Sequence, residues 1–167
     1  MMRLLMAGLL VLGWAAAPAI ATAAVQSGET RRGVDDPRAF IQSVYAAYAR
    51  TPDRGPDEPT YAYSARLQRL VDAYEAAYAG QDLVGAVDFD LWTNAQEWSV
   101  SNVVIDEEQE GADSRTILVR FRNWDRENVN RFRFVREGGR WYLDDIVNGA
   151  GVGGDGWTFS ALLMERE

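Results

Sequence analysis

Residues 115–147 read RTILVRFRNWDRENVNRFRFVREGGRWYLDDIV, and the alternation in that stretch decides the fold. Ile117, Val119 and Phe121 fall on one side of an extended chain and Leu118, Arg120 and Arg122 on the other, because successive strand side chains point to opposite faces. Phe132 and Phe134 repeat the pattern against Arg131, Arg133 and Val135. Gly138-Gly139 is a hairpin signal, since a two-residue turn favours residues that tolerate positive φ. Strands are therefore predicted over Arg115–Trp124, Val129–Arg136 and Arg140–Val147. A turn at Asp125-Arg126 sets Val119 opposite Phe132 and Ile117 opposite Phe134. The glycine turn sets Phe134 opposite Leu143, Arg133 opposite Asp144 and Phe132 opposite Asp145. Both registers collect apolar residues on one face and arginines on the other. A slip of one residue would reverse a face. The stretch reads as an antiparallel meander with one buried side.

Working toward the N-terminus, Trp98–Asp106 is rich in Val and Ile and adds a further strand, followed by an acidic turn region over Glu107–Ser114. Val84–Ala95 mixes acids and aromatics without a period and reads as a loop with about one helical turn. Two amphipathic helices precede it. In the first, Asp36 caps the start and Pro37 takes the first helical position. Phe40, Ile41, Val44, Tyr45 and Tyr48 form its apolar stripe. The second is predicted over Tyr61–Ala79, with Leu67, Leu70, Val71, Tyr74 and Tyr78 inward and Gly80 as its stop. Thr51–Pro59, with its prolines, is a surface loop between them. Downstream, the glycine-rich run Gly149–Gly156 reads as a connector, and Thr158 as the cap of a short last helix through Phe159, Leu162 and Leu163.

Helices followed by a meander make an α+β domain whose helical stripes bury against the apolar sheet face. A twisted, curved sheet would give that pair of layers the form of a cone with an open mouth.

The run Phe89-Asp90-Leu91 with Ala95-Gln96-Glu97-Trp98, and the run Gly139-Arg140-Trp141-Tyr142-Leu143-Asp144-Asp145-Ile146, resemble a bacterial family of secreted domains of unknown function, numbered 3828. That family is similar to the nuclear transport factor 2-like, cystatin-like α+β group. The resemblance spans about Pro37 to Met164. It implies a fold with a pocket and no particular activity, because this architecture hosts isomerases, dehydratases, binding modules and oligomerisation domains.

The N-terminus sets an expected compartment. Met1-Met2-Arg3 is a short positive start, Leu4–Ile20 is apolar, and Ala21-Thr22-Ala23 has the small-x-small pattern of a cleavage site. The expected organisation is a signal peptide over 1–23, a flexible leader over 24–35 and one α+β domain over 36–167. The compositional bias of arginine over lysine, with abundant Ala and Gly, suggests a GC-rich bacterial source. The expected destination is then the periplasm or the medium.

Composition narrows the chemistry. The chain has no Cys and no His, and all 17 basic residues are Arg. Disulfides, thiolate zinc sites, cysteine nucleophiles, Ser-His-Asp triads, Schiff bases and Ser-Lys dyads are excluded. A net charge of −8 disfavours nucleic acid and anionic membranes as partners. The glycine run lacks the Gly-Lys-Ser/Thr ending of a phosphate loop, and no acidic cluster has calcium-loop spacing. No metal or other cofactor is expected.

Asp145 is the one candidate catalytic residue. The predicted register puts it on the inner wall with Trp141 and Leu143, where an apolar setting would suit a general acid or base. Asp144 would pair with Arg133 outside. Tyr45, Trp92, Gln96 and Trp141 join Asp145 as candidate ligand-binding residues, since rings with polar tips suit an amphipathic ligand. Arg115, Arg120, Arg122, Arg131 and Arg133 are expected to form an outer basic stripe. The leading expectation is an exported, non-enzymatic domain that binds a small molecule or a periplasmic protein, with a homodimer as one possible assembly. An isomerase- or dehydratase-type acid/base enzyme using Asp145 with Tyr45 as donor is the first alternative. An inhibitor or immunity-like protein is the second.

Overall fold

A computed structural model describes residues 31–50, 55–56, 59–80, 85–109, 111–149 and 156–165. The expected signal peptide and most of the expected leader lie outside the described residues, as do most of the loop over 51–59 and of the glycine run. The elements, in chain order, are α1 (Pro37–Arg50), a 3-10 turn (Thr60–Ala62), α2 (Ala65–Tyr78), β1 (Val100–Gln109), β2 (Ser114–Asn123), β3 (Arg126–Glu137), β4 (Arg140–Gly149), β5 (Trp157–Thr158) and α3 (Phe159–Leu162). The strands form one antiparallel sheet in sequence order. The fold is α+β. Among the described residues no helix is long and apolar enough to cross a membrane.

The α1 helix starts as its sequence dictates. Asp36 Oδ1 accepts the backbone N–H groups of Arg38 at 2.9 Å and Ala39 at 3.2 Å, and Pro37 has no N–H to leave unpaired. Ile41, Val44, Tyr45 and Tyr48 are buried along one stripe. That stripe and Phe40 pack on the inner sheet face, where Ile117, Val119, Phe121, Phe132 and Phe134 are all buried. Tyr45 meets Phe121 and Phe132 at ring-centroid distances of 5.2 and 6.0 Å. Each fully buried large apolar side chain of this layer contributes on the order of 2 kcal/mol.

The second helix is shorter than predicted. Its expected first turn is a separate 3-10 turn, and Ser64 caps α2 by accepting the Leu67 N–H at 3.0 Å. The break occurs because Tyr63 and Ser64 pair with the edge of β4, where the Ser64 N–H donates to the Leu143 carbonyl at 2.8 Å. The same edge takes Val34 through reciprocal bonds with Trp141 at 2.7 and 2.9 Å. Residues 31–35, expected to belong to a loose leader, are thus tied down. Farther along, β5 pairs with Val147 and Asn148. Three segments close an edge that would otherwise expose unpaired backbone groups.

Two registers differ from expectation. The β2–β3 turn sits at Trp124-Asp125, so Val119 faces Asn130 and Ile117 faces Phe132. The slip is two residues, which preserves which side chains face inward. Across the glycine turn, where Gly138 and Gly139 have φ of 56° and 85°, Phe134 does face Leu143. A bulge then intervenes, and Arg133 faces Asp145 rather than Asp144, with Ile146 opposite Phe132. Asp144 is the extra residue of this bulge. Its carboxylate accepts the Ser64 hydroxyl at 2.6 Å and Arg66 Nε at 3.0 Å.

The bulge overturns the expected placement of Asp145. It lies on the Arg133 side of the sheet, and Ile146 takes the inner position. Arg115 is also misassigned by the outer-stripe expectation. It pairs with Phe134, shares that inner side, and lies 4.9 Å from the centroid of the Trp141 ring. The remaining outer arginines are partly neutralised. Arg120 meets Asp106 at 2.5 Å and Arg131 approaches Glu108 at 3.9 Å. Leu118 is buried on this side, between Asp106 and Arg131 in register, where long arginine stems cover apolar surface.

Candidate functional site

The segment over 85–98 organises the polar interior. Asp90 Oδ1 accepts the N–H groups of Trp92 at 2.9 Å and Thr93 at 2.8 Å, and the Thr93 hydroxyl at 3.0 Å. This is an Asx turn, in which a short carboxylate satisfies backbone donors just ahead of it. The Asp90 N–H in turn donates to the Ala95 carbonyl at 3.0 Å. Asp90 Oδ2 accepts the Tyr48 hydroxyl of α1 at 2.5 Å. Asp90 thus both organises the loop and ties it to the helix.

Deeper in, two asparagines occupy inward strand positions. Asn130 Nδ2 donates to the Trp92 carbonyl at 3.0 Å and to Tyr45 Oη at 3.2 Å, and Asn148 Nδ2 donates to Asn130 Oδ1 at 2.7 Å. Tyr45 Oη donates to the Trp92 carbonyl at 2.7 Å. Burial pushes the Tyr45 phenol well above its ordinary value of 10.0; the Asn130 hydrogen bond opposes this and the Asp90 charge adds to it. A phenol held neutral this way is a hydrogen-bonding strut.

The outward side of this loop borders a cleft of about 280 Å³, lined by Tyr48, Val87, Phe89, Asp90, Leu91 and Trp92 together with Pro56. Its exposed surface is about equally polar and apolar, Tyr48 and Trp92 being themselves buried, and Asp90 is the one carboxylate on it. A second, more open cleft of about 530 Å³ lies beside β5 and α3, bordered by Asn148, Trp157, Thr158 and Glu165 among others.

The residues singled out from sequence do not converge on one site. Tyr45 and Trp92 meet in the interior, and Trp92 alone of the five lines the smaller cleft. The indole N–H of Trp92 is buried without a partner among the described residues, and nothing in the structure explains it. Gln96 is exposed and reaches Asp88 at 3.4 Å. Trp141 is buried at the other end of β4, beside Arg115 and Arg136. Asp145 is buried under α3 and serves that helix. Its Oδ1 accepts the N–H groups of Ile146 and Ser160, both at 3.0 Å, and its Oδ2 accepts the Ser160 hydroxyl at 2.6 Å. Arg66 stands 3.5 Å from it. Thr158, the expected cap of α3, makes no side-chain cap bond.

No family model, curated protein or solved structure matches this chain.

Asp90, Tyr48, Thr93, Asn130 and Asn148 were not identifiable as a set from sequence. Partial signals exist. Asp90 followed at three residues by Thr93 is an Asx-type cap pattern. Asn130 continues the inward alternation of Phe132 and Phe134, and a polar residue at an apolar position signals a buried network. Among the described residues, no group of three or more acidic, His or Cys side chains is placed to hold a metal ion.

Proposed function

We propose that this chain is an exported, non-enzymatic domain that binds a small molecule in the cleft bounded by Tyr48, Phe89, Asp90 and Trp92. The observation that carries the reading is the cleft itself: about 280 Å³, with one carboxylate on its border held in place by four donated hydrogen bonds. A rigidly placed polar group in a concave site is what ligand sites use for orientation. Grouping with the nuclear transport factor 2-like domains draws support from the element order and from α1 lying on the inner sheet face. Export rests on the N-terminal pattern alone.

An acid/base role for Asp145 draws little support, because both of its oxygens are engaged by Ser160. A protein-binding role is the second reading. It is favoured by Trp124, 63% exposed at the β2–β3 turn with φ of 55°. An exposed indole in that conformation is costly and suits a contact surface.

Native mass spectrometry of protein purified from its own host tests both readings. A one-to-one small-molecule adduct, reduced by Phe89→Ala, is the expected result. Spectra showing only the bare chain, or the chain with a stoichiometric second protein, overturn the small-molecule reading, and the second protein establishes the alternative.

A further inference from the structure

We infer that the C-terminal segment over 157–163 holds the loop that borders the Asp90 cleft, so that docking of this segment regulates occupancy of the cleft. The inference rests on the small-molecule reading above and adds the regulation of that site. The loop is anchored from several layers. Tyr48 of α1 donates to Asp90 at 2.5 Å, and Asn130 of β3 donates to the Trp92 carbonyl at 3.0 Å. A further anchor comes from β5, where Trp157 Nε1 donates to Asn94 Oδ1 at 2.6 Å. Asn94 stands at φ 55° in the turn that the Asp90 N–H closes onto the Ala95 carbonyl. The Trp157 ring also meets the Phe89 ring edge-on, with centroids 5.3 Å apart. Phe89 is half-buried and lines the cleft. Trp157 therefore touches the loop on either side of Asp90, at Phe89 and at Asn94.

A second route runs beneath. Trp157 pairs with Asn148 of β4. The Asn148 side chain donates to Asn130, which donates to the Trp92 carbonyl. The anchors differ in how firmly they are themselves held. Tyr48 sits on a 14-residue helix and Asn130 on a 12-residue strand. Trp157 sits on a strand of two residues followed by a helix of four. That segment is held on β4 by two backbone pairings, the Asp145–Ser160 bonds and the burial of Phe159 and Leu163. Short elements with few buried contacts open at a lower free-energy cost than long central ones. The anchor at Asn94 is thus the one that releases first. A ligand that requires the anchored loop stabilises the docked segment, and undocking weakens that ligand by the same factor.

Hydrogen exchange of the full chain tests the inference, with Trp157→Phe, which keeps a ring against Phe89 and removes the N–H. The amides of Asp90, Trp92 and Thr93 close the turn. They are expected to exchange about fivefold faster in the variant, the scale of one lost hydrogen bond, with a smaller change in β2 and β3. Asn94→Gly keeps the left-handed turn and lacks the acceptor, so adding Trp157→Phe to it is expected to change these rates no further. Equal acceleration of loop and sheet amides, or none in the loop, overturns the inference. If Trp157→Phe does not fold, Ser160→Ala, which loosens α3 and leaves Trp157 in place, supplies the comparison with the same expected result. Native mass spectrometry separates the inference from the reading it rests on. An adduct at lower occupancy in the variant than in the parent is expected, and unchanged occupancy overturns the regulation. A parent chain without adduct overturns the small-molecule reading, and the exchange rates then decide the hold on the loop by themselves.

Discussion

The carboxylate of Asp145 on β4 grips Ser160 of α3 twice, accepting its backbone N–H at 3.0 Å and its hydroxyl at 2.6 Å. A four-residue helix is too short to persist alone, so α3 depends on this contact and on the burial of Phe159 and Leu163. The bulge at Asp144 makes the contact possible by turning Asp145 away from the inner face.

Asp145→Ala should therefore destabilise the fold by about 2 kcal/mol, the sum expected from a lost cap and stranded buried donors. Ser160→Ala, which removes the hydroxyl and keeps the backbone bond, should cost about 1 kcal/mol. Urea unfolding followed by tryptophan fluorescence measures both. Equal stability of Asp145→Ala and the parent chain would remove the capping role.

The Asn130–Asn148 pair should behave as a unit. Asn130→Leu leaves Asn148 Nδ2 without the Asn130 oxygen that it meets at 2.7 Å, at a cost of about 1–3 kcal/mol. The double replacement Asn130→Leu with Asn148→Leu should cost less than the two single changes added together, because it strands fewer donors. A double-mutant cycle in urea reads the coupling, and strict additivity would contradict it.

Alkaline stability should reflect Tyr45. Its phenol ionises well above 10.0 in the folded chain and near 10.0 once unfolded. The native state thus holds the proton more tightly. That contribution is complete below pH 10.0 and is lost as pH rises from there toward the folded value. Tyr45 alone can impose a slope of at most about 1.4 kcal/mol per pH unit. Tyr45→Phe should be less stable at neutral pH, because Asn130 and Trp92 lose a partner. It should also show a shallower alkaline decline, seen as a smaller shift of the urea midpoint between about pH 9 and 11.

Trp124 should be replaceable with profit to stability. Its φ of 55° suits Asn or Gly better than an indole, and at 63% exposure it buries little. Trp124→Asn is expected to stabilise the isolated chain by about 0.5–1 kcal/mol, raising Tm in a thermal melt. If Trp124 contacts a partner, the same change should abolish that association.

The signal-peptide reading predicts that expression in a bacterial host yields a processed chain beginning at Ala24. N-terminal sequencing of the periplasmic fraction checks it. An intact Met1 in the cytoplasm alone would contradict it.

The alternation in 115–147 determined the meander and its buried side, because the pairing period of two survives any slip by an even number of residues. This is why the shift at Trp124-Asp125 moved partners without exposing Ile117 or Phe132. Spacing and capping likewise determined α1, where Asp36 and the apolar stripe act within one helix. The tertiary structure decided what depends on contacts between distant segments. Ser64 and Arg66 hold the bulge at Asp144 from about 80 residues away in the chain, and that bulge carries Asp145 to α3. Tyr48 and Asp90, 42 residues apart, meet only because α1 lies against the loop before β1. Local propensity has no term for such meetings, since each requires the layers to be packed first.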